Sequence, residues 1–379
     1  MDRRTFFVLA GAGFSVTEAS AAAAAIPAGA APKKTASAGA PLKARLGHQM
    51  NSTLSEANCK WASRYGLEAI CAKPEIKDSE RLYPTVEELN RMLDLGNKHK
   101  LKVEIIDSPL LQSTYIDREK HAAIMLGQSP ERDREIEAIQ TTLKNCAAVG
   151  IRTLKYNLSI LGVPRNPESV PGRGDTTYGK WNLKEGLAAN LPLTRAGRVN
   201  EEEYWRRIEY FLARVVPVAN QYKVRIACHP EDPGMPPEGF QGIQNPLCAV
   251  SGLKKFVTLH ESPYHGLNFC QGTVAEMLDD PRREIDDVIR WFGTRGKLFN
   301  VHFRNIKGRK LDFMEAFPDE GDMDMARSIR VYHEVGYPYM LMPDHVPQLD
   351  GRDPSGTAFA FCYGYIRGLL DALPDHADA

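Results

Sequence analysis

Four segments in the C-terminal half of this chain each end an apolar or β-branched run in one metal-ligating side chain. They are Ala-Cys-His229-Pro-Glu-Asp-Pro-Gly, Asn-Phe-Cys270-Gln-Gly, Asn-Val-His302-Phe-Arg-Asn and Leu-Met-Pro-Asp344-His345-Val-Pro. Successive parallel strands that deliver ligands to one end of a barrel would leave this pattern. The segments therefore predict a single divalent-metal site built from four distant parts of the chain. Two imidazoles, a thiolate and a carboxylate suit a transition metal such as Mn, Fe, Co or Zn better than Ca.

Each residue has a plainer alternative. A lone histidine is more often a satisfied core residue than a ligand, and Cys270 taken alone reads as a buried thiol. Four ligand types at four successive strand ends reverse that balance. Pro230 stops the strand at His229, so Glu231 and Asp232 can orient the imidazole or meet substrate hydroxyls. Arg304 lies two residues beyond His302 and shares its side of an extended strand. There its forked donors suit a substrate carboxylate, and an ion pair with a neighbouring loop is the alternative. Asp344 and His345 are adjacent, which makes Asp344 a ligand and His345 the candidate for proton transfer. Lys155 and Asn157 share a face further upstream, where Lys155 would neutralise a carboxylate or enolate, or form a structural ion pair. His48, ending the first apolar run, is a further pocket candidate. The aromatic group Phe359, Phe361, Tyr363 and Tyr365 reads as core.

The elements that must position these residues alternate. Strands are predicted at 45–49, 68–72, 101–107, 152–156, 223–229, 266–270, 298–302 and 339–344. Helices are predicted at 84–99, 133–149, 201–222, 280–293, 322–336 and 358–372. Short apolar strands alternating with amphipathic helices imply a parallel sheet covered on both faces. Eight strands imply a (β/α)8 TIM barrel with its site at the C-terminal strand ends. A doubly wound sheet is the competing architecture, but no Gly-rich phosphate loop follows an early strand. Residues 162–197, rich in Pro, Gly and Arg, interrupt the alternation. With Arg165, Arg173, Tyr178 and Trp181 they read as a lid, a subunit contact or a plain loop.

The 379 residues are 43% hydrophobic and 25% charged with a formal net charge of zero, so the chain carries no electrostatic footprint for nucleic acid. No apolar run is long enough to span a bilayer. Seven cysteines without close spacing do not make a disulfide framework. Arg3-Arg4 before an apolar stretch and an Ala-rich region reads as a twin-arginine export signal over 1–31. A linker over 32–42 and a barrel domain over 43–373 follow. The expected location is the periplasm, or the cytoplasm if the leader does not function in export. A homo-oligomer would suit the subunit-contact reading of the long segment.

At these motifs the chain resembles the mannonate dehydratase family, which are xylose isomerase-like TIM barrels. The matching pieces are Cys-His229-Pro-Glu-Asp-Pro-Gly, Gly-Leu-Asn-Phe-Cys270-Gln-Gly, Val-His302-Phe-Arg-Asn-Ile-Lys and Met-Pro-Asp344-His345, within about residues 145–370. The resemblance implies Mn(2+) or Fe(2+) held at His229, Cys270, His302 and Asp344. It also implies loss of water from a sugar acid to give a 2-keto-3-deoxy acid. The chain departs from the family pattern at the first strand, Arg-Leu-Gly-His48-Gln-Met, and near Phe359, where the family carries a tyrosine. The small-molecule partner is accordingly a sugar acid or a sugar. The alternatives are a sugar isomerase or epimerase on the same barrel, and a non-catalytic exported sugar-binding protein.

Overall fold

The computed structural model of the chain describes residues 44–373. The expected export signal and linker lie outside these residues. Eight strands form the barrel: β1 (Arg45–Thr53), β2 (Ala69–Lys73), β3 (Lys102–Asp107), β4 (Thr153–Asn157), β5 (Arg225–His229), β6 (His265–Cys270), β7 (Leu298–His302) and β8 (Met340–Met342). They close in the order β1-β8-β7-β6-β5-β4-β3-β2, with every pair parallel. Eight helices cover the strands: α1 (Glu56–Arg64), α2 (Val86–Lys98), α3 (Glu131–Ala148), α4 (Glu201–Tyr222), α5 (Val250–Thr258), α6 (Pro281–Gly293), α7 (Met325–Glu334) and α8 (Pro354–Asp371).

All eight strands expected from the sequence form within a few residues of their predicted ends. The reason is local: most are short runs buried on both faces, as in β6, where every residue is buried, although β1 ends in three exposed polar residues. Two helices carry weaker signals. Only Cys59 and Ala62 of α1 are buried, and its capping box pairs Ser55 with Asn58 rather than with Glu or Gln. No side-chain hydrogen bond caps the start of α5.

The core has two compartments. Ala69, Cys71, Ile105, Met340 and Met342 form an apolar cluster of their own inside the strands. Gly47 makes room for it, because a Cβ there would lie 2.6 Å from the Met340 sulfur. The larger cluster fills the layer between strands and helices. Register then sets the height of the polar residues: Asn157 pairs with His229, and His302 with Cys270. These residues meet at one level, at the C-terminal rim.

Residues 162–197 fold into small elements. Val170–Pro171 pairs antiparallel with Thr177–Tyr178. Lys180–Asn182 joins a three-stranded sheet with the hairpin Asn305–Arg309 and Asp312–Ala316, which follows β7. The residues considered for a lid are fastened to the protein. Arg173 pairs with Asp319, the Tyr178 hydroxyl donates to Glu320, and Trp181 is 2% exposed. The Trp181 ring meets Phe240 edge-on at 5.2 Å. Replacing Trp181 by Ala removes this anchor and should cost about 3–5 kcal/mol of stability by equilibrium urea unfolding. A loss below about 1 kcal/mol would show that the segment does not pack through this residue.

Candidate metal centre

Ligand atoms of His229, Cys270, His302 and Asp344 lie within 4.8 Å of one another. Two donors at about 2.1–2.3 Å from one ion stand at most about 4.6 Å apart, so a small inward shift suffices for all four to share it. The four occupy the ends of β5, β6 and β7 and the turn after β8.

The local chemistry prepares each donor. His229 Nδ1 lies 2.5 Å from the Pro230 carbonyl oxygen, to which it donates, leaving Nε2 with its lone pair. Burial lowers the His229 pKa to about 4, which keeps the ring neutral. His302 Nδ1 is buried without a hydrogen bond among the described residues and sits 3.2 Å from the Asp344 carboxylate. Asn268 holds the far side of this ring, 3.2 Å from Nε2. Burial raises the Cys270 thiol, but the Arg304 charge and His302 outweigh it and leave the pKa below the usual value. The Asp344 carboxyl is held well below its ordinary range: burial opposes this, and His302, His345 and Arg304 produce it. A neutral imidazole, an orphaned imidazole nitrogen, an acidified thiol and an ionised carboxylate together fit a divalent transition metal.

A cavity of about 50 Å³ opens beside these ligands, and Lys155, Asn157 and His345 line it. Lys155 Nζ lies 3.1 Å from Asp107 Oδ1. Burial alone would lower the Lys155 pKa, but Asp107 raises it above the ordinary value, so the ammonium is charged. Glu231 also lines the cavity, accepting from the Ser159 hydroxyl at 2.8 Å. Burial pushes its carboxyl up to about 8. His345 Nδ1 lies 2.8 Å from Glu315 Oε1, and Nε2 stands 3.8 Å from Asp344 Oδ2. Burial acts to lower the His345 pKa, but Asp344 and Glu315 raise it to about 9.

Two sequence expectations take a different shape. Arg304 does not offer its fork to a ligand in the cavity. It is 3% exposed, with Nη1 donating to Glu315 at 2.8 Å and Nη2 to Asp232 and Glu276 at 2.6 and 2.8 Å. The strand-parity argument gave its side correctly, but three carboxylates from other loops already occupy the donors. Gly272 is small for the same reason, since a Cβ there would lie 2.5 Å from the Arg304 side chain. His48 does not reach the cavity either. It points outward into the helix layer, where its Nδ1 meets the Tyr363 hydroxyl at 2.7 Å and its ring lies against Phe359. Gln49, one residue on, takes the inward position.

Several contributors went unnoticed in the sequence. Asp107 ends β3 as Asp344 follows β8, so the strand-end rule would have found it. Glu276 and Glu315 carry no such signal, because they come from a loop and a hairpin. Arg165, from the long segment, reaches Asp232 at 2.5 Å and Glu315 at 2.6 Å.

A closed eight-stranded parallel barrel with a mixed-ligand cluster at its C-terminal rim defines a class: the xylose isomerase-like TIM barrels. The structure resembles the crystal structure of mannonate dehydratase from Streptococcus suis serotype 2, with a TM-score of 0.72 at 21% identity over 87% of this chain and 94% of that one. A xylose isomerase domain protein from Planctomyces limnophilus shares the fold at TM-score 0.56 and 11% identity, covering 89% and 99%. The family model described as D-mannonate dehydratase (UxuA) matches residues 182–379. The chain is 27% identical to a mannonate dehydratase of Thermotoga petrophila over 325 residues, 76% of this chain and 86% of that protein. It is 28% identical to mannonate dehydratase 2 of Halalkalibacterium halodurans, covering 73% and 84%. The chain belongs to the D-mannonate dehydratase family of carbon–oxygen lyases.

Arg304→Lys replaces a five-donor fork by a point charge and leaves buried carboxylates short of partners. It should lower unfolding free energy by about 3–5 kcal/mol in urea titration. Wild-type stability in this variant would remove Arg304 from its bracing role.

Proposed function

We propose that this chain is a metal-dependent dehydratase of a sugar acid such as D-mannonate, with a 2-keto-3-deoxy acid as product. The observation that carries this reading is the convergence of four ligand atoms beside a cavity that also holds Lys155 and His345. Family membership points the same way. His229 Nε2, the Cys270 thiolate, His302 Nδ1 and the Asp344 carboxylate are the ligands, and Mn(2+) or Fe(2+) is the cation. A cation held there supplies Lewis acidity to the substrate carboxylate and its neighbouring hydroxyl, which acidifies the proton at C2.

The chain's own groups do the rest. Lys155 offers a positive charge to the anionic substrate. Glu315 accepts from His345 Nδ1, so Nε2 is the nitrogen left to exchange protons with the cavity. In its neutral form, which gains as pH rises toward its pKa of about 9, His345 Nε2 takes the C2 proton and returns it to the hydroxyl departing from C3, so one water is lost. The enol then gives up its O2 proton as C3 takes one up, and becomes the 2-keto-3-deoxy acid. Asn157, at the rim beside His229, is assigned to substrate binding.

The purified barrel should contain stoichiometric metal and dehydrate sugar acids in an EDTA-sensitive manner. Cys270→Ser and His302→Ala should each lose the metal on elemental analysis. His345→Ala should keep it while kcat falls about 10²–10⁴-fold. Full metal in both ligand variants, or unchanged kcat without His345, would overturn these assignments. Ketose formation from a neutral sugar, without turnover of any acid, would favour an isomerase instead.

Residues 1–31 are assigned as a twin-arginine signal for export to the periplasm. Changing Arg3 and Arg4 to Lys should shift the protein from the periplasmic to the cytoplasmic fraction, and unchanged fractionation would refute the signal.

A further inference from the structure

Two carboxamides in the cavity, Gln49 and Asn157, make no side-chain hydrogen bond among the described residues. The Gln49 Oε1 and Asn157 Oδ1 atoms are both buried and unpaired. Both residues line the same cavity, Gln49 from the middle of β1 and Asn157 from the end of β4. A buried amide without a partner costs about 1–3 kcal/mol, so such groups are kept where something else completes them. The pairing of β1 with β2 is regular up to Gln49 opposite Cys71 and shifts immediately afterwards. A register break of this kind re-aims a side chain beside a site. Strand alternation puts the Gln49 side chain at the cavity while His48 faces the helices.

The chemistry of the wall limits what can complete these amides. A carboxamide is neutral and presents both a donor and an acceptor, as does an alcohol hydroxyl. Among the described residues no arginine lines the cavity, and the one ammonium there, Lys155, already shares its charge with Asp107. A second carboxylate or a phosphate on the substrate tail would find no unshared cation there. His229, His302, Asp344 and His345 lie on the β5 and β7–β8 side of the cavity, and Gln49, Lys155 and Asn157 on the β1 and β4 side.

We infer that Gln49, with Asn157 beside the reacting end, recognises the uncharged hydroxyl tail of the substrate and sets specificity for a long-chain aldonic acid over shorter or doubly charged acids. This rests on the dehydratase reading above.

The test compares substrates within one variant, so that a general loss of folded enzyme cancels. In Gln49→Met, kcat/KM for a six-carbon aldonic acid should fall about 10–100-fold. For a four-carbon aldonic acid, kcat/KM, or its inhibition constant where it only inhibits, should change less than 3-fold, with metal content unchanged. Gln49→Ala provides the same ratio if the Met variant does not fold. A ratio that stays at the wild-type value, with both acids affected equally or neither affected, overturns the role of Gln49. Absence of wild-type turnover on every acid would instead overturn the dehydratase reading on which the inference stands.

Discussion

The buried Arg304 guanidinium is the contact on which the site depends. It joins Asp232 after β5, Glu276 after β6 and Glu315 in the hairpin after β7. Those loops follow the strands that carry His229, Cys270 and His302. Its Nε also lies 3.5 Å from Asp344, the fourth candidate ligand. One side chain therefore ties together the segments that hold all four donors. Metal ligands of mixed charge, packed with further carboxylates in a buried place, would otherwise repel one another. The guanidinium supplies the compensating charge, and its planar fork sets the spacing of the partners.

Arg165 adds a second cation to the same cluster, and this explains the long segment better than a lid does. Its guanidinium pairs with Asp232 and Glu315, and Trp181 anchors the following strand in the core. The segment and the hairpin after β7 thus form one sheet over the barrel mouth. Glu315 from that sheet reaches His345. The hairpin after β7, braced by Arg165 of the insertion, thus carries the carboxylate that orients the histidine assigned to proton transfer.

Much of this was legible in the chain itself. A barrel strand buried on both faces must be an apolar run, and a polar residue at its end is conspicuous. His229, Cys270, His302 and Asp344 were all found by that rule. Asp107 satisfies the same rule and shows that its reach was wider than the four ligands. Side-chain direction was harder. His48 and Gln49 are adjacent polar residues in the middle of β1, and only the barrel's pleat decides which one enters the cavity. Arg304 was placed on the correct side of its strand, but its partners lie in other loops, at positions no spacing rule connects.

By itself, the sequence determined the strand count, the parallel alternation and the four candidate donors that the fold brings together, because these follow from local hydrophobic patterning and side-chain chemistry. Tertiary structure decided which polar groups are consumed by one another and which remain free. Arg304 spends its donors on Asp232, Glu276 and Glu315, whereas the Gln49 and Asn157 amide oxygens stay unpaired among the described residues. The physical reason is that a buried polar group must be paired, and its partner is set by the closure of the barrel rather than by distance along the chain.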